Sequence, residues 1–210
     1  MSSVVVRGGA VALSYEEFGD STGNISVLVM NGGQSGREES RPFAAKLAAA
    51  AADAQLRVRV VIHDRRNMGT SGLNFSPRNL PEEEAHDLHS LIMELGLGSC
   101  IVMGSSSGAR TALLLALHHP ADVRGLVLAP PTGGGATSPV SIKWLSYSYY
   151  MKHAKRARDG GMAAVIASAK AHYRTVAAQS EYHRQALLNT DVEGFIRCMV
   201  RCCTVYLLPS

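Results

Sequence analysis

The sequence predicts an α/β protein built on a mostly parallel sheet covered by helices on both faces. Three observations carry this. Short continuous apolar runs, Ser26–Met30, Val60–Ile62 and Cys100–Met103, have the composition of strands buried on both sides. Helix-length segments separate them through the first two-thirds of the chain, the alternation that parallel strands require. From about Ser138 no further strand of this kind appears and only helical stretches follow.

In sequence order, Val4–Val6 and Val11–Phe18 flank Arg7-Gly8-Gly9-Ala10, a hairpin signal because glycine adopts the positive φ of tight primed turns. Ser26–Met30 ends in Asn31-Gly32-Gly33. Pro42–Gln55 is alanine-rich and helical by propensity, which also accounts for the Ala48–Ala52 run. Leu56–Ile62 alternates arginine and valine and then runs into His63-Asp64. Pro81 and three glutamates suit the start of a helix over Glu82–Leu95. Cys100–Met103 is a strand, Ser107–His119 a helix stopped by Pro120, and Gly125–Ala129 another strand. The remaining helical stretches lie around Val140–Arg158, Met162–Ala178 and Tyr182–Cys203. A domain change near 136–140 separates a core over residues 1–137 from a helical part over residues 138–210.

Composition narrows the function classes. The 210 residues are 46% hydrophobic and 18% charged, which excludes a disordered protein. The longest uncharged stretch, Gly125–Ile142, contains Pro130, Pro131 and three consecutive glycines, so it is no membrane helix. The N-terminus lacks a basic region followed by a long apolar run; a soluble cytoplasmic protein is expected. The net charge of +4 divides unevenly: residues 1–139 hold 11 Lys/Arg against 13 Asp/Glu, and residues 140–210 hold 10 against 4. The excess of −2 and +6 in the two parts places the basic charge on solvated helix faces, without a nucleic-acid signature. Cys100, Cys198, Cys202 and Cys203 lack metal-knuckle spacing and read as thiols.

The strongest chemical signal is Gly104-x-Ser106-x-Gly108, with a strand before it and a helix after it. A serine on so sharp a turn needs small residues two positions to either side, so that strand and helix can approach. The same turn aims the Ser107 amide at a helix N-terminus, where backbone N–H groups lack intrahelical partners and can hold an oxyanion. A dinucleotide site is disfavoured because Gly32-Gly33-Gln34-Ser35-Gly36 lacks the required glycine spacing, and no Lys-Ser/Thr pair follows Gly108 to make a P-loop. His86-Asp87-Leu88-His89 offers half a metal site on a helix, but no third ligand is evident and a solvated face is the commoner outcome. His118-His119 suits the dipole at the end of its helix. Asp64-Arg65-Arg66 reads as a structural clasp rather than an anion site. Trp144, Tyr147, Tyr149 and Tyr150 either line a substrate channel or pack the helical part on the core.

With these motifs the protein resembles the α/β-hydrolase fold superfamily, in its serine-nucleophile branch with a helical cap. Asn31-Gly32-Gly33-Gln34 is similar to that family's oxyanion loop, with Asn31 in place of the usual His. His63-Asp64-Arg65-Arg66-Asn67-Met68-Gly69-Thr70-Ser71 is similar to its Asp-x-Arg-Gly-x-Gly-x-Ser segment, and Val123–Ala129 to the strand after the nucleophile helix. Gly160–Val165, with Asp191 and Phe195, is similar to a cap. The resemblance implies Ser106 as nucleophile, Gly104 and Gly108 as elbow glycines, Gly33 and Ser107 as oxyanion donors, a small-molecule acyl substrate, and neither metal nor organic cofactor. A serine nucleophile also argues against the dehalogenase and epoxide hydrolase branches, which use Asp.

The family's order along the sequence is Ser, then Asp or Glu, then His. After Ser106 come His118, His119, His153, His172 and His183, the first two on the nucleophile helix and the rest in the helical part. No triad acid or base is identified, and no closing strand-loop unit is seen before Ser210. Three readings follow: an enzyme incomplete at its C-terminus, a non-catalytic relative that keeps the pocket for binding, or a cap histidine acting as base. Weak turnover is expected, together with self-association through the exposed edge of the Gly125–Ala129 strand.

Overall fold

A computed structural model describes residues 2–6, 11–33, 35–75, 80–131, 146–168 and 172–207. The hairpin turn at 7–10, the domain change at 136–140 and Trp144 lie outside the described residues. Strand β1 (Ser2–Val6) pairs antiparallel with β2 (Val11–Gly19), and β2 antiparallel with β4 (Val58–His63). Strands β3 (Ile25–Met30), β5 (Cys100–Ser106) and β6 (Val123–Pro131) continue the sheet in parallel with β4, in the order β1-β2-β4-β3-β5-β6.

The strand order explains why both faces are covered. From β3 the backbone crosses to β4 on one side, then returns past β3 to β5 and β6 on the other. Because such crossovers are right-handed, reversing direction moves the connecting helix to the opposite face. Side-chain alternation shows the result. Val27 and Val29 join Val58, Val60 and Ile62 against Ala44 and Ala51 of α1 (Arg41–Asp53). Their neighbours Leu28 and Met30 point the other way, with Val61, toward Leu88 and Leu91 of α2 (Leu80–Glu94) and Ala112 and Leu115 of α3 (Ser107–His118). A leucine as fully buried as Leu28 contributes about 1.5–3 kcal/mol. Cover on the α1 side is uneven: α1 packs on β2 and β4, so Ile101 and Met103 are half-buried and Val127 of β6 is 47% exposed.

After residue 146 the described part of the protein is helical: a π-helical turn (Tyr147–Met151) leads into α4 (Lys152–Ala167), followed by α5 (His172–Gln179), α6 (Glu181–Leu188) and α7 (Val192–Leu207). These helices share a second apolar cluster with Val165, Tyr173, Leu187 and Phe195, joined from the core by Leu73, Phe75 and Leu80. Phe75 lies edge-on to Phe195, with ring centroids 5.0 Å apart, and so ties the helical part to the loop after β4.

The break expected between Arg158 and Met162 is present as a kink within α4: Gly160 and Gly161 leave the helical conformation, Gly161 with φ 65°, and two helical stretches meet there. One boundary differs from expectation. The single stretch expected over Tyr182–Cys203 is two helices. Asp191 accepts a hydrogen bond from the Gly194 amide at 2.6 Å and starts α7 afresh. Buried Leu187 and Phe195 on either side keep the apolar pattern continuous across the break. Among the described residues no helix is long and apolar enough to cross a membrane.

Candidate active site

The reversal of strand order falls between β3 and β5. In open α/β sheets, ligands bind in the crevice at the carboxyl ends of the two strands flanking such a point. Met30 of β3 is paired with Gly104 of β5, so the residues that follow, Asn31-Gly32-Gly33 and Ser105-Ser106-Ser107, run side by side at the carboxyl end of the sheet. The Gly32 amide donates to Ser105 Oγ at 3.1 Å and the Gly33 amide to Ser107 Oγ at 2.8 Å.

Ser106 sits on the turn itself with φ 52° and ψ −120°, a backbone conformation that residues other than glycine rarely take. It holds the N-cap position of α3, yet its hydroxyl makes no capping bond to the helix. The hydroxyl is thus not spent on the helix; it lies by the loop after β3, 3.2 Å from where a methyl group on Gly32 would stand, beside a helix N-terminus whose first amides lack intrahelical partners. Three glycines make the turn possible. A methyl group on Gly104 would lie 2.6 Å from the Gly108 carbonyl oxygen, one on Gly108 2.6 Å from the Asn31 carbonyl oxygen, and one on Gly32 2.5 Å from Ser106 Cβ. Strand, helix and the loop after β3 therefore meet at backbone contact. The first two glycines are legible from their spacing; Gly32 is marked in the sequence only as part of a loop.

Buried charge braces this crevice from behind. The Asp64 carboxylate accepts from the Arg37 amide at 2.7 Å, from the Arg37 guanidinium, and from the Thr70 amide at 3.0 Å. Gly69 adopts φ 46° directly against that carboxylate, where a methyl group would come within 2.3 Å of it. Arg65 donates to the Gly33 carbonyl and to Glu84 at 3.3 Å, so it holds the loop after β3 in place. Arg66 makes a bidentate pair with Asp87, both bonds 2.6 Å, and approaches Glu83 at 3.4 Å. The clasp is structural: α2 supplies the carboxylates that meet Arg65 and Arg66, while Asp64 meets Arg37. The acidic start of α2, expected to be a solvated face, buries Glu83, Glu84 and Asp87 because two guanidiniums lie beneath it. Arg37, 2% exposed, has no sequence signal at all; it pairs with both Asp64 and Glu16. Arg41, with Arg37, holds the Glu16 carboxyl well below the usual range, at about 2.

Of the histidines after Ser106, His118, His119, His153 and His183 have their contacts elsewhere. His183 contacts Ser180 Oγ at 2.8 Å, and His153 is buried edge-on to Tyr173. His118 and His119 sit at the far end of α3, roughly 18 Å from its start at 1.5 Å per residue. Of the acids, Asp122 contacts His89, Asp159 pairs with Lys155, and Asp191 starts α7. Among the side chains described, which leave out that of His172, no imidazole or carboxylate bonds to the Ser106 hydroxyl. Side chains with metal-ligating chemistry converge away from Ser106, where His119 and Asp122 supply the partners that the sequence did not place beside His89.

Comparison with known proteins agrees with this architecture. The description of the alpha/beta hydrolase family matches residues 27–205. An sn-1-specific diacylglycerol lipase, ABHD11 of Mus musculus, is 40% identical over 79 residues, which is 38% of this chain. The aligned stretch spans 25% of that mouse protein's length. Among solved structures, the enol-lactonase from Burkholderia xenovorans LB400 superposes with a TM-score of 0.64 at 21% identity, covering 98% of this protein and 75% of its own length. A thermophilic esterase from Thermogutta terrifontis gives 0.62 at 22%, covering 97% and 72%. At such identities the two structures speak for the fold alone. A family match over most of the sequence, joined to the strand order and the Ser106 turn, places the protein: it belongs to the alpha/beta hydrolase family.

Proposed function

We propose that the protein is a serine hydrolase by descent, acting on ester or related acyl bonds, with Ser106 as nucleophile and the Gly33 and Ser107 amides as oxyanion donors. The observation that supports this best is the positive φ of Ser106 on a strand-to-helix turn packed by Gly32, Gly104 and Gly108. Residues 138–210 are read as a helical cap over a core of residues 1–137, and the cytoplasm as the compartment. The chemistry would be addition of Ser106 Oγ to the acyl carbon, with the hydroxyl proton passing to a base and the new oxyanion held by the two amides. No imidazole or carboxylate with a described side chain bonds to Ser106, and on that footing weak turnover is expected.

That same lack favours a second reading, a binding protein that keeps the pocket and has lost the reaction. A fluorophosphonate probe separates them. Covalent labelling that Ser106→Ala abolishes supports a primed nucleophile; an unlabelled protein that still retains a non-hydrolysable acyl ligand supports the binding module. The mouse relative's name makes acylglycerol esters the first substrates to try. Vigorous ester hydrolysis lost in Ser106→Ala would overturn the proposed impairment. The place of β6 at the end of the described strand order, with Val127 47% exposed, supports self-association, and sedimentation showing a concentration-independent monomer would refute it.

A further inference from the structure

The His86-x-x-His89 spacing sets two imidazoles on one face of α2, because residues three apart on a helix are neighbours. The end of α3 and the 3-10 turn that follows (Pro120–Asp122) bring His119 and Asp122 against them. His89 Nδ1 lies 2.7 Å from Asp122 Oδ2, and His86 Nδ1 lies 2.9 Å from His119 Nε2. The His89 and His119 rings stack with centroids 3.9 Å apart and 8° between planes. One ligating atom from each of His89, His119 and Asp122 falls within 4.8 Å of the other two.

We propose that His89, His119 and Asp122 form a binding site for a divalent transition-metal ion, with His86 adjoining it. Two imidazole nitrogens and a carboxylate oxygen are the donor set that zinc, cobalt and nickel take, whereas calcium and magnesium prefer all-oxygen sites. Tetrahedral coordination at about 2.0–2.1 Å puts donors some 3.3–3.4 Å apart, so spacings of up to 4.8 Å close by up to about 1.5 Å, the 2.7 Å His89–Asp122 contact opens by about 0.6 Å, and His89 turns out of its stack so that both in-plane lone pairs meet the ion. The side chain of His89 is 37% exposed and can make that adjustment, which also gives the ion a way in and leaves room for water as a further ligand. Asp122, 8% exposed, supplies one negative charge against the ion.

The site lies at the opposite end of α3 from Ser106, so it is a staple between α2 and the α3–β6 connection and takes no part in acyl chemistry. It stands independently of the hydrolase reading. The test uses the 210-residue protein, freed of metal by a chelator and titrated with cobalt chloride and zinc chloride. The expected result is one ion per molecule, nitrogen and oxygen ligation in the cobalt spectrum, and a melting temperature that rises with ion concentration. His89→Gln, His119→Ala and Asp122→Asn should each weaken binding by at least about tenfold, while His183→Ala and Cys198→Ser leave it unchanged. Should His119→Ala fail to fold, the half-exposed His89→Gln carries the test. A thiolate band in the cobalt spectrum, or affinity that all three variants retain, would overturn the proposal.

Discussion

Acid should destabilise the protein in part through His63, at the end of β4. Its ring is fully enclosed, 4% exposed, and its Nδ1 has no hydrogen-bond partner among the described residues. Burial, reinforced by the charges of Arg65 and Arg37 and only partly offset by Asp64, pushes it down from 6.5 to about 4. The sign follows from proton counting. Between these two values the unfolded protein binds a proton at His63 and the native protein does not, so stability falls as pH falls. The contribution is fully present above pH 6.5 and fully lost below about 4. At about 1.4 kcal/mol per pH unit, the loss amounts to roughly 3 kcal/mol. Urea unfolding of wild type and His63→Gln at several pH values between about 7.5 and 4 would measure it. The variant has nothing to protonate there, so the stability difference between the two proteins should narrow or reverse by about 3 kcal/mol across the window. His119, also lowered, is common to both proteins and cancels, and Glu16 acts mainly at lower pH. Parallel profiles would refute a buried neutral His63.

Three further outcomes test the site's architecture. Arg66→Ala leaves the Asp87 and Glu83 carboxylates buried beneath α2 and should cost about 3–5 kcal/mol by denaturant unfolding, whereas Arg66→Met with Asp87→Leu should recover most of it. Ser106→Gly should be about 1 kcal/mol more stable than Ser106→Ala, because glycine relieves the φ of 52° at some cost in unfolded-state entropy. Ser107→Ala removes the acceptor that now holds the Gly33 amide and should raise the rate of fluorophosphonate labelling by up to about tenfold; an unchanged or lower rate would count against Gly33 as an oxyanion donor.

Much of the fold is legible because strands and helices announce themselves by local pattern. Val27, Val29, Leu28 and Met30 are all apolar, and only a strand buried on both faces requires that. The elbow is legible for a related reason: two backbones meet at van der Waals contact around Ser106, and only glycine at positions 104 and 108 permits it. The helix break at 189–191 is hidden because apolar periodicity runs straight through it, and the interruption rests on one Asp191 hydrogen bond.

What the sequence determined by itself, then, was the α/β alternation, the serine turn and the loop beside it, since each depends on residues adjacent in the sequence. The tertiary structure alone decided which distant charges meet. Glu84 lies beneath Arg65, Arg37 against Asp64, and Asp122 beside His89, across separations of 19, 27 and 33 residues. A charged residue carries no mark of its partner in its own neighbourhood. The partner is chosen by which helix the right-handed crossover lays on which face, and burial then makes the pairing obligatory, because an enclosed charge left alone costs more than the pair returns.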